Sequence, residues 1–293
     1  MISNRTRFRV SFTSVPTPVS DVWLTLASCL EREKCQPKRF YLSQLAGHSD
    51  SFHKEELLRM SGTEIEALIA ERNLSGFRVN TGHSPTSVDY TLAHMKEQGN
   101  QSILSCRIEK NAKAPNDWTQ LIEALMIQWP SIGGWQWNHQ YLCWQEYCAI
   151  EGYQYINGEI PLNLRRYMQK NASLHGDDRE MIDVSLNPGR NHQLLLGINF
   201  VPSAEMWLGP HFWQYAKCTK EEALAADFFI EKRDTPHFLY LKSWPQPFSR
   251  PDGAQGLQQQ RIWKLLFHED CEWPPGSGGI SDKPMYGPPE LMP

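Results

Sequence analysis

Hydrophobic and polar positions along this chain follow two periods, and the period changes at proline and glycine. Residues 5–15 alternate: Phe8, Val10 and Phe12 fall on one side, Arg7, Arg9 and Ser11 on the other. Successive side chains of a strand point to opposite faces, so this is a half-buried strand. Pro16 and Pro18 end it. Further strands are expected at residues 40–45, 77–79, 87–93 and 102–109, the last two joined by a turn at Glu97, Gln98, Gly99 and Asn100. Helices are expected where apolar residues recur every three or four positions. Val22, Leu26 and Leu30 do so before Pro37. Residues 53–60 and 63–72 do so on either side of Gly62, and Thr63 with Glu66 has the spacing of a capping box. Residues 118–129 carry Leu121, Ile122, Leu125 and Met126 on one face, with Asn116 or Asp117 to cap them and Pro130 to stop them.

Aromatic residues dominate the start of the second half. Trp135 and Trp137 alternate with Gln136 and Asn138 as in a strand, and Tyr141, Trp144 and Tyr147 follow. Residues 162–169 suit a short helix. Residues 181–186 and 192–200 suit two strands of a hairpin turned at Asn187, Pro188, Gly189 and Arg190. Residues 203–213 then gather Met206, Trp207, Leu208, Phe212 and Trp213 around Gly209 and Pro210. Large aromatic rings bury much area, and a Gly-Pro step fixes a turn, so this stretch reads as a structural corner pinned by Trp207 and Trp213. Thr219 caps a helix over residues 220–228, with Glu221 and Glu222 in the first turn where carboxylates suit the helix dipole. A strand is expected at 238–241, and a helix at 255–268 with Leu257, Ile262, Leu265 and Leu266 inward.

This order of elements predicts an α+β fold, mostly antiparallel sheet flanked by helices. Residues 1–130 read as an N-terminal lobe, 131–273 as a C-terminal lobe and 274–293 as a Pro- and Gly-rich tail with little to bury. The 293 residues suffice for a substantial core, and 11 Trp favour a firm interior or an interaction surface. A net charge of −4 argues against direct nucleic-acid binding, which needs a basic excess. The seven Cys are odd in number and irregular in spacing, which suits a reducing compartment. The N-terminus lacks the apolar stretch of a signal peptide, and no run approaches the ~18 apolar residues of a membrane helix. A cytoplasmic protein without membrane segments is expected.

Candidate chemistry is sparse. His139, Cys143 and Cys148 could ligate zinc, but the usual paired Cys spacing is missing and a core role is commoner. His211 beside the corner has no Ser or Cys nucleophile in a recognisable elbow. His268 to Cys271 sits where a histidine suits a helix C-terminus anyway. Gly276, Ser277, Gly278 and Gly279 lack the Lys-Ser/Thr ending of a phosphate loop. Acidic clusters occur at Asp177, Asp178 and Glu180, at Glu221, Glu222 and Asp227, and at Glu269 and Asp270. Each alone is most simply a solvated face or a cap; together they are the candidate contacts for a basic partner. No catalytic group, metal or cofactor is expected.

The second half resembles the immunity protein 52 family of bacterial polymorphic toxin systems. The residues that carry the resemblance are Asp183 to Leu186 with Leu194 to Ile198, the corner Met206 to Trp213, the strand Phe238 to Leu241 and the helix segment Ile262 to Leu266. The resemblance implies an α+β, cytoplasmic, non-catalytic protein whose partner is a cognate toxin, often a nuclease delivered by a type VI secretion system. Two other readings stand beside it. One is a hydrolase-like enzyme using His211 or His139. The other is a ligand-binding module with an aromatic platform around Trp135 to Tyr155.

Overall fold

Strand periodicity carries through into the architecture. In the computed structural model of the chain, fourteen strands are described: β1 (Arg5–Phe12), β2 (Arg39–Gln44), β3 (Ser49–His53), β4 (Leu74–Asn80), β5 (Ser87–Met95), β6 (Gly99–Glu109), β7 (Ser131–Asn138), β8 (Arg166–Gln169), β9 (Arg179–Ile182), β10 (His192–Leu195), β11 (Ile198–Phe200), β12 (Glu205–Leu208), β13 (Glu231–Asp234) and β14 (Leu239–Lys242). Four α-helices accompany them: α1 (Thr119–Gln128), α2 (His139–Glu146), α3 (Lys220–Ala225) and α4 (Gly253–Phe267). The structure describes residues 5–12, 28, 39–44, 49–53, 64, 67, 74–80, 87–95, 99–109, 119–146, 149–151, 166–169, 179–195 and 198–269, with side chains given mainly from residue 119 onward and at 8–11.

Ten strands form one sheet in the order β13-β14-β12-β7-β1-β6-β5-β4-β2-β3, every pairing antiparallel. β8 pairs with β9, and β10 with β11, as separate two-stranded ribbons. The fold is therefore α+β. The large sheet runs unbroken past residue 130, because β7 lies between β1 and β12.

Register explains which side chains meet. Val10, Gly134, Trp207, Tyr240 and Arg233 are successive Cα partners across five strands and so share one face. α1 covers this face: a Cβ on Gly134 would touch Ile122 of the helix. Ile122, Leu125 and Met126 are buried there, as the helical period predicts. On the opposite face Trp135, Met206 and Leu241 are register partners, and α4 packs over them with Ile262, Trp263, Leu266 and Phe267. Phe200, Phe212, Trp263 and Phe267 form mutual edge-on and tilted ring pairs, with centroids 5.1–6.2 Å apart. Each such pair adds about 0.5–1.5 kcal/mol beyond area burial.

Several sequence expectations change. The aromatic stretch after Asn138, assigned to neither period from the sequence, is helix: the chain turns into α2 at His139, where the Asn138 Oδ1 accepts from the Tyr141 N–H at 3.0 Å. Residues 166–169 are strand rather than helix. The expected hairpin of 181–186 with 192–200 does not form; β9 pairs back to β8, while β10 folds onto β11 two residues later. The run Glu205–Leu208 is itself a strand, β12. Leu257 faces solvent at 59% exposure, because α4 turns Gln258 and Gln259 inward instead. The caps expected at Asn116 or Asp117 and the tail 274–293 lie outside the described residues, as does most of the expected helices at 22–30, 53–60 and 63–72.

Candidate functional site

The corner is built by strand β12 and the turn behind it. Trp207 is fully buried and its indole N–H donates to Glu123 of α1 at 3.2 Å. The Gly209 N–H donates to the Ile132 carbonyl at 2.9 Å, and Phe212 N–H closes the turn on the Gly209 carbonyl at 3.0 Å. Pro210 and His211 are exposed at its apex. A short 3-10 turn, Phe212–Gln214, then drops Phe212 into the aromatic core, while Trp213 is half-buried against it. Of the two expected pins, Trp207 is core and Trp213 lies at its margin.

A polar hub lies beyond the C-terminal end of α4. Arg190 donates to Glu269 Oε2 at 2.7 Å and to the Asn187 carbonyl at 3.1 Å, and its guanidinium stacks 4.1 Å from the Trp263 ring. His192 Nδ1 is 3.4 Å from the other Glu269 oxygen, with its ring 4.3 Å from Phe267. Burial lowers the His192 pKa, against the pull of Glu269. Trp263 Nε1 donates to the Pro188 carbonyl at 2.8 Å. Behind it, Gln145 of α2 accepts from the Gly189 N–H, and Asn187 donates to the Gln145 carbonyl, both at 2.8 Å. Glu146 accepts from the Asn191 N–H at 3.0 Å; burial first of all pushes its carboxyl up to about 7. This hub holds residues 187–192 against α2 and α4. Sequence reasoning read 187–190 only as a turn, since its partners lie more than 40 positions away and leave no local period.

The acidic candidates divide. Asp177, Asp178 and Asp270 lie outside the described residues. Glu180 is exposed on β9. Glu269 is committed to Arg190. Glu221, Glu222 and Asp227 line one segment that runs beside α4. The Lys217 N–H donates to the Leu266 carbonyl at its start, and Gln258 Nε2 donates to the Phe228 carbonyl at its end. Thr219 caps α3, as the sequence predicts, and Glu222 completes a capping box with it. Cys218 is buried, and burial first and then the Glu222 charge push its thiol up to about 11, away from the thiolate form.

This edge also exposes apolar surface. Ile230 and Leu257 are 62% and 59% exposed. Phe228 is half-buried, with the Arg261 guanidinium 6.0 Å from its ring. The aromatic cluster offers no open platform at its described members, since Trp135, Trp137 and Tyr141 are at most 6% exposed. His211 is exposed on the corner turn, and no group of three or more His, Cys, Asp or Glu placed to hold a metal occurs among the described residues. Nor is any helix among them long and apolar enough to cross a membrane.

No protein-family model matches this chain. No curated protein matches it either. Among solved structures, the fold is similar to that of a Pseudomonas aeruginosa type VI secretion system protein, at 9% identity and a TM-score of 0.51, over 91% of this chain and 74% of that one. At that identity the likeness is one of fold.

Proposed function

We propose that this chain is an immunity protein that binds a cognate antibacterial toxin and blocks it by stoichiometric occlusion. The observation that carries the reading is the fold, similar over most of the chain to a type VI secretion system protein. The sequence resemblance to the immunity protein 52 family points the same way. Occlusion requires a rigid body with a complementary face, and it requires no active site. The firm aromatic core and the acidic balance of residues 219–234 support this reading. The toxin fits best as a nuclease of the cytoplasm. A nuclease presents a basic groove to nucleic acid, and an acidic protein is steered onto such a groove quickly and with matching charge.

The test is co-expression with the protein encoded beside this one. A 1:1 complex on size exclusion at moderate salt, with growth restored to cells making the toxin, supports the reading. Unrelieved killing in cells that accumulate folded protein would sink it.

A further inference from the structure

Where α2 packs on β1 and β7, the sheet presents hydrogen-bond donors that the fold does not pair. Arg9 of β1 and Trp135 of β7 are Cα partners, and Trp137 follows two positions on, so all three side chains leave the same face of the sheet. Among the described residues, Arg9 Nε, Trp135 Nε1 and Trp137 Nε1 are buried atoms with no hydrogen-bond partner. Trp135 is fully buried and Trp137 is 6% exposed. The Arg9 guanidinium lies 5.8 Å from the Trp137 ring centre. Buried polar groups are normally satisfied, and an indole or guanidinium nitrogen can only donate. What these neighbours share is a need for an acceptor.

Charge favours an anion over a water there. Arg9 is largely withdrawn from solvent, and burial holds its pKa below the usual value. Among the described residues, Glu146 of α2 is the carboxylate whose charge reaches it. The two form no ion pair, and Glu146 Oε1 accepts from the Asn191 N–H at 3.0 Å instead. Burial pushes the Glu146 carboxyl up to about 7, so near neutrality it is uncharged about half the time. Arg9 then stands as a buried cation with no opposite charge, which is costly. Arg9 and Glu146 both keep partial exposure, so a small ion can reach them.

We propose that Arg9 and Trp137 bind a small monovalent anion, a halide or a carboxylate, beneath α2, and that this anion competes with the Glu146 carboxylate for Arg9. The Arg9 Nε–H and the Trp137 indole N–H donate to it, and the guanidinium supplies the charge. An ionised Glu146 repels the anion and neutralises Arg9 in its place; an uncharged Glu146 does neither. Binding is therefore coupled to uptake of a proton by Glu146. With a carboxyl that titrates near 7, the apparent affinity falls about tenfold between pH 6 and pH 8. Arg9 from β1 is the charged group that faces Glu146 among the described residues, and the Asn191 N–H is its other polar neighbour. The site is independent of the immunity reading.

The experiment measures urea midpoints of the full chain in sodium chloride, sodium acetate and sodium gluconate at equal ionic strength, at pH 6 and pH 8. Gluconate is the bulky reference. Chloride or acetate is expected to raise the midpoint above gluconate at pH 6, and about tenfold more of it is needed at pH 8 for the same rise. A response to chloride alone identifies a halide site, and a response to acetate alone a carboxylate site. Glu146→Gln is expected to respond at pH 8 as wild type does at pH 6. Arg9→Met is expected to lose the response; should it fail to fold, Trp137→Phe, expected to weaken the response several-fold, takes its place. A crystal grown in bromide at pH 6 is expected to show an anomalous peak within hydrogen-bond reach of Arg9 Nε and Trp137 Nε1. Water at that position without a bromide peak overturns the proposal. So does an anion response that is the same in wild type, Glu146→Gln and Trp137→Phe at both pH values.

Discussion

Gly209 lies so close to Ser131 that a Cβ at Gly209 would collide with the Ser131 carbonyl oxygen and come within 2.7 Å of its hydroxyl. The approach is set by the Gly209 N–H bond to the Ile132 carbonyl, which locks the end of β12 to the start of β7. Both colliding groups belong to a strand start buried in the sheet, so neither has room to swing away. Gly209→Ala is therefore expected to destabilise the protein by about 1–3 kcal/mol, the usual cost of overpacking a closed interior. The midpoint of urea unfolding reads this directly; an unchanged midpoint would mean that β12 is not held there.

Trp263 joins two kinds of support. Its ring packs with Phe200 and Phe267, and its N–H serves the Pro188 carbonyl. Trp263→Phe keeps most of the packing and leaves a buried carbonyl unpaired, for an expected loss of about 1–3 kcal/mol. Trp263→Ala also opens a cavity and is expected to cost about 3–5 kcal/mol. A Trp263→Phe protein as stable as wild type would show that the Pro188 bond contributes nothing.

Glu146 gives stability a pH slope. Its carboxyl titrates near 7 when folded, chiefly because it is buried, against the Asn191 hydrogen bond and the Arg9 charge that oppose the shift. Unfolded, it returns to about 4.5. Between those values the folded chain keeps a proton that the unfolded chain has released, so this group lowers stability as pH rises through the window. Glu146→Gln keeps an acceptor for the Asn191 N–H and removes the charge. Its stability is expected to exceed wild type at pH 8 and to approach it at pH 5, read as urea midpoints at both values. His192 acts in the opposite sense, because its lowered pKa removes stability as pH falls below about 6.5. A Glu146→Gln protein that is less stable than wild type at pH 8 would refute the assignment.

Thr219 caps α3 reciprocally: its hydroxyl accepts from the Glu222 N–H at 3.1 Å, and Glu222 Oε2 accepts from the Thr219 N–H at 2.7 Å. Thr219→Ala is expected to cost about 1 kcal/mol, with Thr219→Ser close to wild type. If the acidic segment docks a partner, loosening α3 also weakens binding. Calorimetry on both variants separates the two effects.

What could be read from the sequence was what short-range physics decides. Strand β1 showed in the alternation of Phe8 and Val10, helix α1 in the spacing of Ile122, Leu125 and Met126, and the start of α3 in Thr219 and Glu222. Strand β13 escaped notice because Glu231, Lys232, Arg233 and Asp234 are all charged; an edge strand with little burial on either side has no apolar period to display. Helix α2 escaped because a short buried pair such as Tyr141 and Leu142 fits either period. Among the candidate residues, Glu221, Glu222 and Asp227 stood out as acids, while Leu257 looked like core and is exposed.

The sequence by itself determined the α+β class, the mildly acidic balance and the place of the Gly209–Pro210 corner, since composition, period and turn chemistry are local properties. Tertiary structure alone decided that β7 lies between β1 and β12, that α4 turns Gln258 and Gln259 inward and Leu257 out, and that Arg190 meets Glu269 over Trp263. Strand order and side-chain partnership depend on contacts between residues tens to more than a hundred positions apart. Their energies compete across the whole chain, and no window of sequence contains both sides of the contact.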